Sequence, residues 1–247
     1  MTQAAGFEVT EHGGIDPLSE SSRFVAKHLS AYEFARPFAQ GKVLEVGCGD
    51  GYGSSLLAKT ANEVTAVDLF PKNVTAAAER YAGPNLRFLQ MNATELAFED
   101  ETFDLVVSFQ VIEHIPQALL GRYVSEIRRV LKPGGVFIVT TLNLSKAMKP
   151  GARYEKSPHH DKEFRPEELE AFLREAFPRV EMFGLYPGAQ HRVYERLKKW
   201  GLFRMMPAGL NPVERFYKNI TPADFSWQTR PDLGGCEDIL GLCRKKT

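Results

Sequence analysis

A glycine-rich turn, an acid that follows it and two histidine-bearing segments are the parts of this chain whose residue types and spacing could do chemistry. Val43-Leu-Glu-Val-Gly47-Cys-Gly49-Asp-Gly51-Tyr-Gly53-Ser54 runs from an apolar strand through a glycine turn into a helix start. Glycine in such a turn lets the backbone bend sharply and lets a ligand approach without meeting a Cβ. Asp68 ends a second apolar run, Glu63–Val67, about seventeen residues further on, and an acid there can accept both hydroxyls of a ribose. Turn and acid together describe one end of a site for an adenosine-like ligand. The dinucleotide fingerprint is G-x-G-x-x-G; its third glycine would fall on Tyr52 counted from Gly47, or on Ser54 counted from Gly49. The spacing here is G-x-G-x-G-x-G, which disfavours a pyrophosphate cradle. Cys48, inside the turn, reads as a small buried filler rather than a catalytic thiol, since no local base accompanies it.

The histidines supply candidate proton acceptors. His114 stands in Val111-Ile-Glu-His-Ile-Pro116, just past the apolar run Phe103–Phe109. A neutral imidazole suits proton abstraction; the alternative is that His114 caps or packs the next helix. Glu113 beside it is a weaker base. A long polar loop, Asn143 to Arg165, carries Tyr154, His159, His160 and Asp161. Adjacent side chains rarely converge on one ion, so no metal site is assigned. The same loop holds Lys146, Lys149, Arg153, Lys156, Lys162 and Arg165 against three acids, which suits either an anionic substrate or a solvated surface.

The elements that must position these groups alternate. Pro17–Phe38 has helical spacing and Gly41 ends it. Strands are expected at Lys42–Val46, Glu63–Asp68, Leu86–Met91, Phe103–Phe109 and Val136–Thr141. Helices are expected at Tyr52–Lys59, Lys72–Tyr81 and Gln117–Leu131, with Pro133-Gly134-Gly135 as a turn. This alternation predicts a doubly wound, mostly parallel sheet with helices on both faces, and a ligand at the carboxyl ends of its strands. Further on, Pro166–Phe177 reads as a helix, Arg179–Leu185 as a strand, His191–Met206 as a basic amphipathic helix interrupted at Gly201, Asn211–Asp232 as an aromatic, Pro-containing stretch and Asp238–Cys243 as the terminal strand. The roughly fifty residues between the last two strands exceed an ordinary connection.

With the motifs in this order, the chain resembles the class I S-adenosylmethionine-dependent methyltransferases, especially the small-molecule branch of quinone-biosynthesis and glycan-tailoring enzymes. The resemblance runs from about His28 to Phe183. It is carried by Val43–Ser54, Val64–Leu69, Met91-Asn92-Ala93-Thr94, Phe103–Pro116 (FDLVVSFQVIEHIP) and Leu131–Thr141 (LKPGGVFIVTT). It implies a Rossmann-like seven-stranded sheet with an antiparallel last strand, S-adenosyl-L-methionine as cofactor and S-adenosyl-L-homocysteine as product. It also implies that Glu45, Gly47, Cys48 and Gly49 line the methionine part, Asp68 holds the ribose, Leu69 packs on adenine, Asn92 and Ala93 contact adenine, and Gln110 lies near the methionine end. The family usually has Asp where Asn92 stands, so an acceptor oxygen remains but its charge is lost. The leader His28-Leu-Ser-Ala-Tyr32-Glu-Phe resembles a segment in which Tyr folds over the cofactor; Ala31 stands where the family has Arg, and Tyr32 is either that lid or plain packing. His114 and His160, the latter followed by Glu163, are the catalytic candidates by the same resemblance.

Bulk properties agree with this reading. The chain has 247 residues, 43% hydrophobic and 25% charged, with 31 basic and 31 acidic side chains. Such neutrality argues against nucleic acid as the partner. Met1–Asp16 has no secretory pattern, and three cysteines without paired spacing fit a reduced, cytoplasmic setting. The expected organisation is a single methyltransferase domain over 1–247: a helical leader or lid at 1–40, a cofactor core at 41–185, a substrate cap at 186–235 and a last strand at 236–247. The expected reaction is O-methylation of a sugar or glycolipid hydroxyl; a quinone precursor or aromatic natural product is the second choice. A nicotinamide oxidoreductase and a non-catalytic cofactor-binding module are the rivals from other classes. The His191–Met206 segment reads as a lid or dimer face ahead of a peripheral membrane contact; no oligomeric state follows. Calorimetric titration is expected to show binding of S-adenosylhomocysteine and none of NAD, and the reverse result would restore the oxidoreductase.

Overall fold

The computed structural model describes residues 22–148, 154–201, 203, 205–206 and 210–247. The expectations for residues 1–16, for a helix start at Pro17, and for Lys149, Arg153 and Leu202 lie outside the described residues.

Five strands run parallel: Lys42–Val46 (β1), Glu63–Asp68 (β2), Leu86–Gln90 (β3), Phe103–Phe109 (β4) and Leu131–Leu142 (β5). Arg179–Pro187 (β6), Phe225–Gln228 (β7) and Asp238–Arg244 (β8) complete one sheet of order β3-β2-β1-β4-β5-β8-β6-β7. β8 runs antiparallel to both β5 and β6. The sheet therefore has eight strands, where seven were expected. The additional one, β7, comes from the aromatic stretch that the sequence showed as irregular. Its four residues are too few to display a period, yet they pair antiparallel with β6 from Gly184 to Pro187 and cover an edge that would otherwise expose unpaired amides.

The central strands are buried on both sides, as their unbroken apolar runs require; Val43, Leu44, Val106 and Val107 have no exposed surface. On one face lie Ser22–Ala35 (α1), Tyr52–Leu57 (α2) and Pro71–Tyr81 (α3), around a core that includes Tyr32, Leu57, Val64, Ala77 and Ile138. On the other lie Leu120–Val130 (α4) and, after the short Leu144–Ala147 (α5), Pro166–Ala176 (α6), around Tyr123, Phe137, Phe164, Leu173 and Phe177. α4 buries Leu120, Tyr123, Val124, Ile127 and Val130, the spacing of an amphipathic helix laid on a sheet. It is shorter than the sequence suggested, because Gln117–Leu119 form a 3₁₀ turn before it. Pro133-Gly134-Gly135 do not separate two elements; they bulge within β5, whose pairing to β4 jumps from Phe103–Leu131 to Leu105–Val136. Ala189–Lys199 (α7) and Pro212–Lys218 (α8) rise between β6 and β7. No described helix is long and apolar enough to cross a membrane.

β1 and β4 are neighbours whose connections leave in opposite directions along the sheet, so a crevice opens beyond their carboxyl ends. Gly47 makes the turn into it, with φ +79° and with Val111 Cγ2 2.4 Å from where a Cβ would stand. Gly47→Ala is expected to lower stability by at least ~1–2 kcal/mol from the left-handed backbone alone, read as a reduced urea midpoint.

Candidate active site

The glycine turn is fixed from below by backbone. Gly47 and Cys48 both donate to the carbonyl of Val67, at 2.8 and 3.0 Å, so the turn is sewn to the end of β2. Asp68 then clasps it: one carboxylate oxygen accepts the Gly49 amide at 2.9 Å, and the other accepts Phe70 N at 2.9 Å and Asn73 Nδ2 at 3.2 Å. Burial raises the pKa of Asp68, and the Phe70 and Gly49 amides oppose that shift. The acid expected to meet a ribose therefore lies against the turn expected to meet the methionine part. Leu69 follows it and is exposed, and Ala93 packs partly on the core. The Asn92 side-chain oxygen accepts both the amide and the hydroxyl of Thr94, each at 2.9 Å, in a local turn of the kind Asn favours.

Glu45 is the buried charge of this half, 1% exposed. It accepts the Tyr32 hydroxyl at 2.6 Å and the Ser54 hydroxyl at 2.5 Å. Burial lifts its pKa to about 7; the two hydroxyls oppose the shift and the charge of Asp68 adds to it. Tyr32 thus does more than pack. It reaches from α1 to β1, its ring fills the space left by the missing Cβ of Gly53, and it meets Phe109 edge-on at 4.9 Å. His28, one helical turn earlier, stacks edge-on against Tyr32 and hydrogen-bonds the Tyr52 hydroxyl; burial depresses its pKa to about 4. The sequence signal for this cluster was the i, i+4 spacing of His28 and Tyr32 on a helix. Cys48 is buried and its thiol is pushed up by burial, which makes it inert as a nucleophile.

The other half of the crevice begins at Gln110, the residue after β4. It has φ +56°, a left-handed conformation that a non-glycine residue holds only against cost. Its amide group approaches Thr140 Oγ1 at 3.4 Å and Asp238 Oδ2 at 3.5 Å. Asp238 also pairs with Lys27 at 2.9 Å, and its neighbour Glu237 pairs with Arg23 at 2.5 Å and Lys146 at 3.4 Å. The sequence pointed to none of these partners, because they come together only when β8 runs back between β5 and β6. Lys146, one of the loop cations that suited either an anionic substrate or a solvated surface, is engaged in this way. Lys162 lies over the Phe164 ring at 5.0 Å, and Lys156 donates to the Asp161 carbonyl.

Past Gln110, the carbonyl of Glu113 accepts the amides of Asp161 and Lys162 at 2.8 and 3.2 Å, which docks the polar loop onto the turn after β4. This brings together the two catalytic candidates, distant in sequence. Their rings meet edge-on with centroids 5.0 Å apart. His114 Nδ1 lies 2.9 Å from the His159 carbonyl; a carbonyl only accepts, so Nδ1 carries the proton and Nε2 of the neutral ring keeps a lone pair. His160 Nδ1 lies 2.5 Å from Glu163 Oε1. Burial moves all four groups toward their uncharged forms: His114 is lowered, His160 is lowered to about 4, Glu163 is raised and Glu113 is raised to about 8. Glu113 is buried with Oε2 lacking a hydrogen-bond partner. Donor atoms of Glu113, His114 and His160 lie within 4.8 Å of one another, so this trio, unlike the His159-His160-Asp161 run weighed from the sequence, has the composition and spacing to hold a divalent cation. Phe225 and Trp227 form β7 and pack with Ala26, Leu185 and Ile220 over the sheet edge, with Phe216 and Tyr217 beside them.

Known proteins resemble this chain. A family model described as a methyltransferase domain matches residues 44–139. The chain is 38% identical over 177 residues to a probable S-adenosylmethionine-dependent methyltransferase of Mycolicibacterium smegmatis, covering 71% of this chain and 67% of that protein. It is 37% identical over 150 residues to a ubiquinone biosynthesis O-methyltransferase of Caulobacter vibrioides, covering 56% of this chain and 59% of that one. The chain thus spans about two thirds or less of the length of these relatives. A crystallised methyltransferase from Archaeoglobus fulgidus superimposes with a TM-score of 0.62 at 18% identity, over 91% of this chain and 95% of that one, which speaks for the fold alone. The matched range 44–139 contains the glycine turn and the acid after β2, and the chain belongs to the S-adenosylmethionine-dependent methyltransferase family.

Proposed function

We propose that this protein transfers a methyl group from S-adenosylmethionine to a hydroxyl oxygen of a small acceptor, with a sugar or glycolipid hydroxyl as the first candidate. The observation that carries the reading is the meeting of Glu113, His114 and His160 beside Gln110, at the carboxyl end of β4. The quinone-precursor reading is kept as the second, because the Caulobacter relative is a ubiquinone biosynthesis O-methyltransferase.

The residues present fit the cofactor. A buried acid hydrogen-bonded to a left-handed glycine turn provides the ribose and methionine ends, with Asp68 for the hydroxyls, and with Glu45, Gly47, Cys48 and Gly49 around the amino-acid part. Leu69 and Ala93 border the adenine position, Asn92 shaping that loop through Thr94, and Tyr32 covers the turn from α1. When bound, S-adenosylmethionine supplies an electrophilic methyl on a sulfonium with a neutral thioether as leaving group. The protein must align the acceptor oxygen in line with that bond and take its proton. Nε2 of His114 is the acceptor of that proton, its ring held by the His159 carbonyl. The C–O bond forms as the C–S bond breaks, and the proton ends on the imidazole. His160, steadied by Glu163, and Glu113 orient the hydroxyl.

A transfer assay with labelled cofactor against pooled cell-envelope and small-molecule extracts tests the reading, the labelled product then being identified. His114→Ala is expected to lower kcat by about 10²–10⁴-fold with affinity for S-adenosylhomocysteine unchanged; full activity in that variant would remove His114 as the base. Loss of activity in a chelator, restored by a divalent cation, would transfer the handling of the hydroxyl to a cation held by the same trio.

Glu45 supplies a second test. Its folded pKa of about 7 lies above the unfolded carboxyl value, so the stability it contributes is full below the unfolded pKa and is lost as pH rises through the folded one. The melting temperature of the wild type is therefore expected to fall relative to Glu45→Gln between about pH 5 and pH 8, and S-adenosylhomocysteine, whose ammonium offsets the buried charge, to narrow the difference.

A further inference from the structure

The cap between β6 and β8 has two sides of different character. Its inner side is finished. His191, Phe216, Tyr217 and Phe225 pack ring against ring, Tyr194 stacks on Phe216 at 4.3 Å, and Asn211 caps α8 through the amides of Val213 and Glu214. The cap is thus held to the sheet and to itself without calling on its remaining apolar residues.

Those residues point outward. Of the ten exposed large hydrophobic side chains among the described residues, six lie between 193 and 210. Trp200 is 70% exposed, Met205 100% and Leu210 71%. Val193 and Trp200 are seven residues apart, so they share one face of α7, opposite the face that buries His191 and half-buries Tyr194. Gly201, with φ +69°, ends the helix just past Trp200. Isolated exposed apolar residues need no explanation, but a cluster of this kind marks a contact surface.

The charge around the cluster says what would cover it. Residues 189–218 hold seven basic and two acidic side chains, in a chain with 31 of each. The segment is strongly positive and the rest of the protein is correspondingly negative. Arg192, Arg196 and Lys199 flank the Val193 and Trp200 face and are exposed. The acid of α7, Glu195, lies on the opposite side, against buried His191 and the Tyr217 hydroxyl. A lid over the crevice would place Trp200 and Met205 against the core. A twofold contact between identical caps would set like charges against each other. An apolar row bordered by uncompensated cations matches an anionic lipid surface, where aromatic and aliphatic side chains enter the interface and Lys and Arg meet the headgroups.

We propose that the outer face of α7, centred on Trp200 and continued by Met205 and Leu210, docks this protein on an anionic lipid surface. α7 starts where β6 ends at Pro187; β6 runs in the same direction as β5, so α7 leaves from the same end of the sheet as the glycine turn, and docking sets that end of the crevice toward the bilayer. The inference deepens the proposed acceptor without requiring it, since lipid binding and methyl transfer are measured separately.

The test is co-sedimentation of the full chain with vesicles of phosphatidylcholine alone and of phosphatidylcholine mixed with phosphatidylglycerol. In a Trp227→Phe background, Trp200 becomes the sole tryptophan and reports insertion by its fluorescence. Binding to the mixed vesicles with a blue shift, weakened by salt, is expected. Arg196→Glu with Lys199→Glu should weaken binding by roughly tenfold or more, and Trp200→Ala should also weaken it. Unchanged melting temperature and S-adenosylhomocysteine affinity in these variants would show that the fold is intact. Absence of binding to the mixed vesicles, or binding that the variants leave intact, overturns the proposal. So does a concentration-dependent dimer that Trp200→Ala dissolves in the absence of vesicle binding, because a second copy would then be the occupant.

Discussion

A carboxylate with almost no access to water must find donors or give up its charge, and at Glu45 that demand organises one half of the molecule. Its two hydroxyl partners come from different elements, Tyr32 on α1 and Ser54 on α2. Satisfying the acid therefore fixes where the leader helix lies and how the glycine turn enters α2. Because Tyr32 is drawn down onto Glu45, its ring occupies the space above Gly53, and only glycine is compatible with that approach. The same placement carries Lys27, one turn from Ser30 and Ala31 on α1, to Asp238 at the start of β8.

The second half depends on a different device. A loop docked through the Glu113 carbonyl presents His160 to His114. His114 ends a single 3₁₀ turn, Ile112–His114, and the two histidines are steadied by a backbone acceptor and a buried carboxyl. Burial is the common cause of the shifts at Glu113, His114, His160 and Glu163. Neutral groups there suit a reaction that ends with one proton fewer on the acceptor and a neutral leaving group.

What the sequence showed follows from range. The glycine turn, Asp68 and the alternation of β1 to β5 with helices are local patterns, and each was legible with its boundaries off by a few residues. Tyr32 and His28 were legible as a helical pair but not as partners of Glu45 and Tyr52, since those contacts depend on how α1 crosses the sheet. Asn92 was read by type, and the turn it closes onto Thr94 was not legible, because bonds to a near neighbour leave no pattern in the sequence. β7 escaped notice because a four-residue edge strand has no period to detect. The meeting of His114 with His160, 45 residues of chain having been crossed by the contact to His159, and the pairing of Lys27 with Asp238 across 211 residues are tertiary facts with no local trace.

The insertion leaves the sheet at the end of β6 and returns at the start of β8, and these two strands are adjacent, Gly184 lying opposite Ile239. Its ends are therefore a strand spacing or two apart, whatever its length. Lengthening or replacing a segment whose ends already meet costs little in chain entropy, and none of the strands that carry the glycine turn, Asp68 or His114 lies within it. The architecture separates inheritance from innovation: a lineage can exchange the cap as a cassette and change what the protein touches while the methyl-donor half is passed on unaltered.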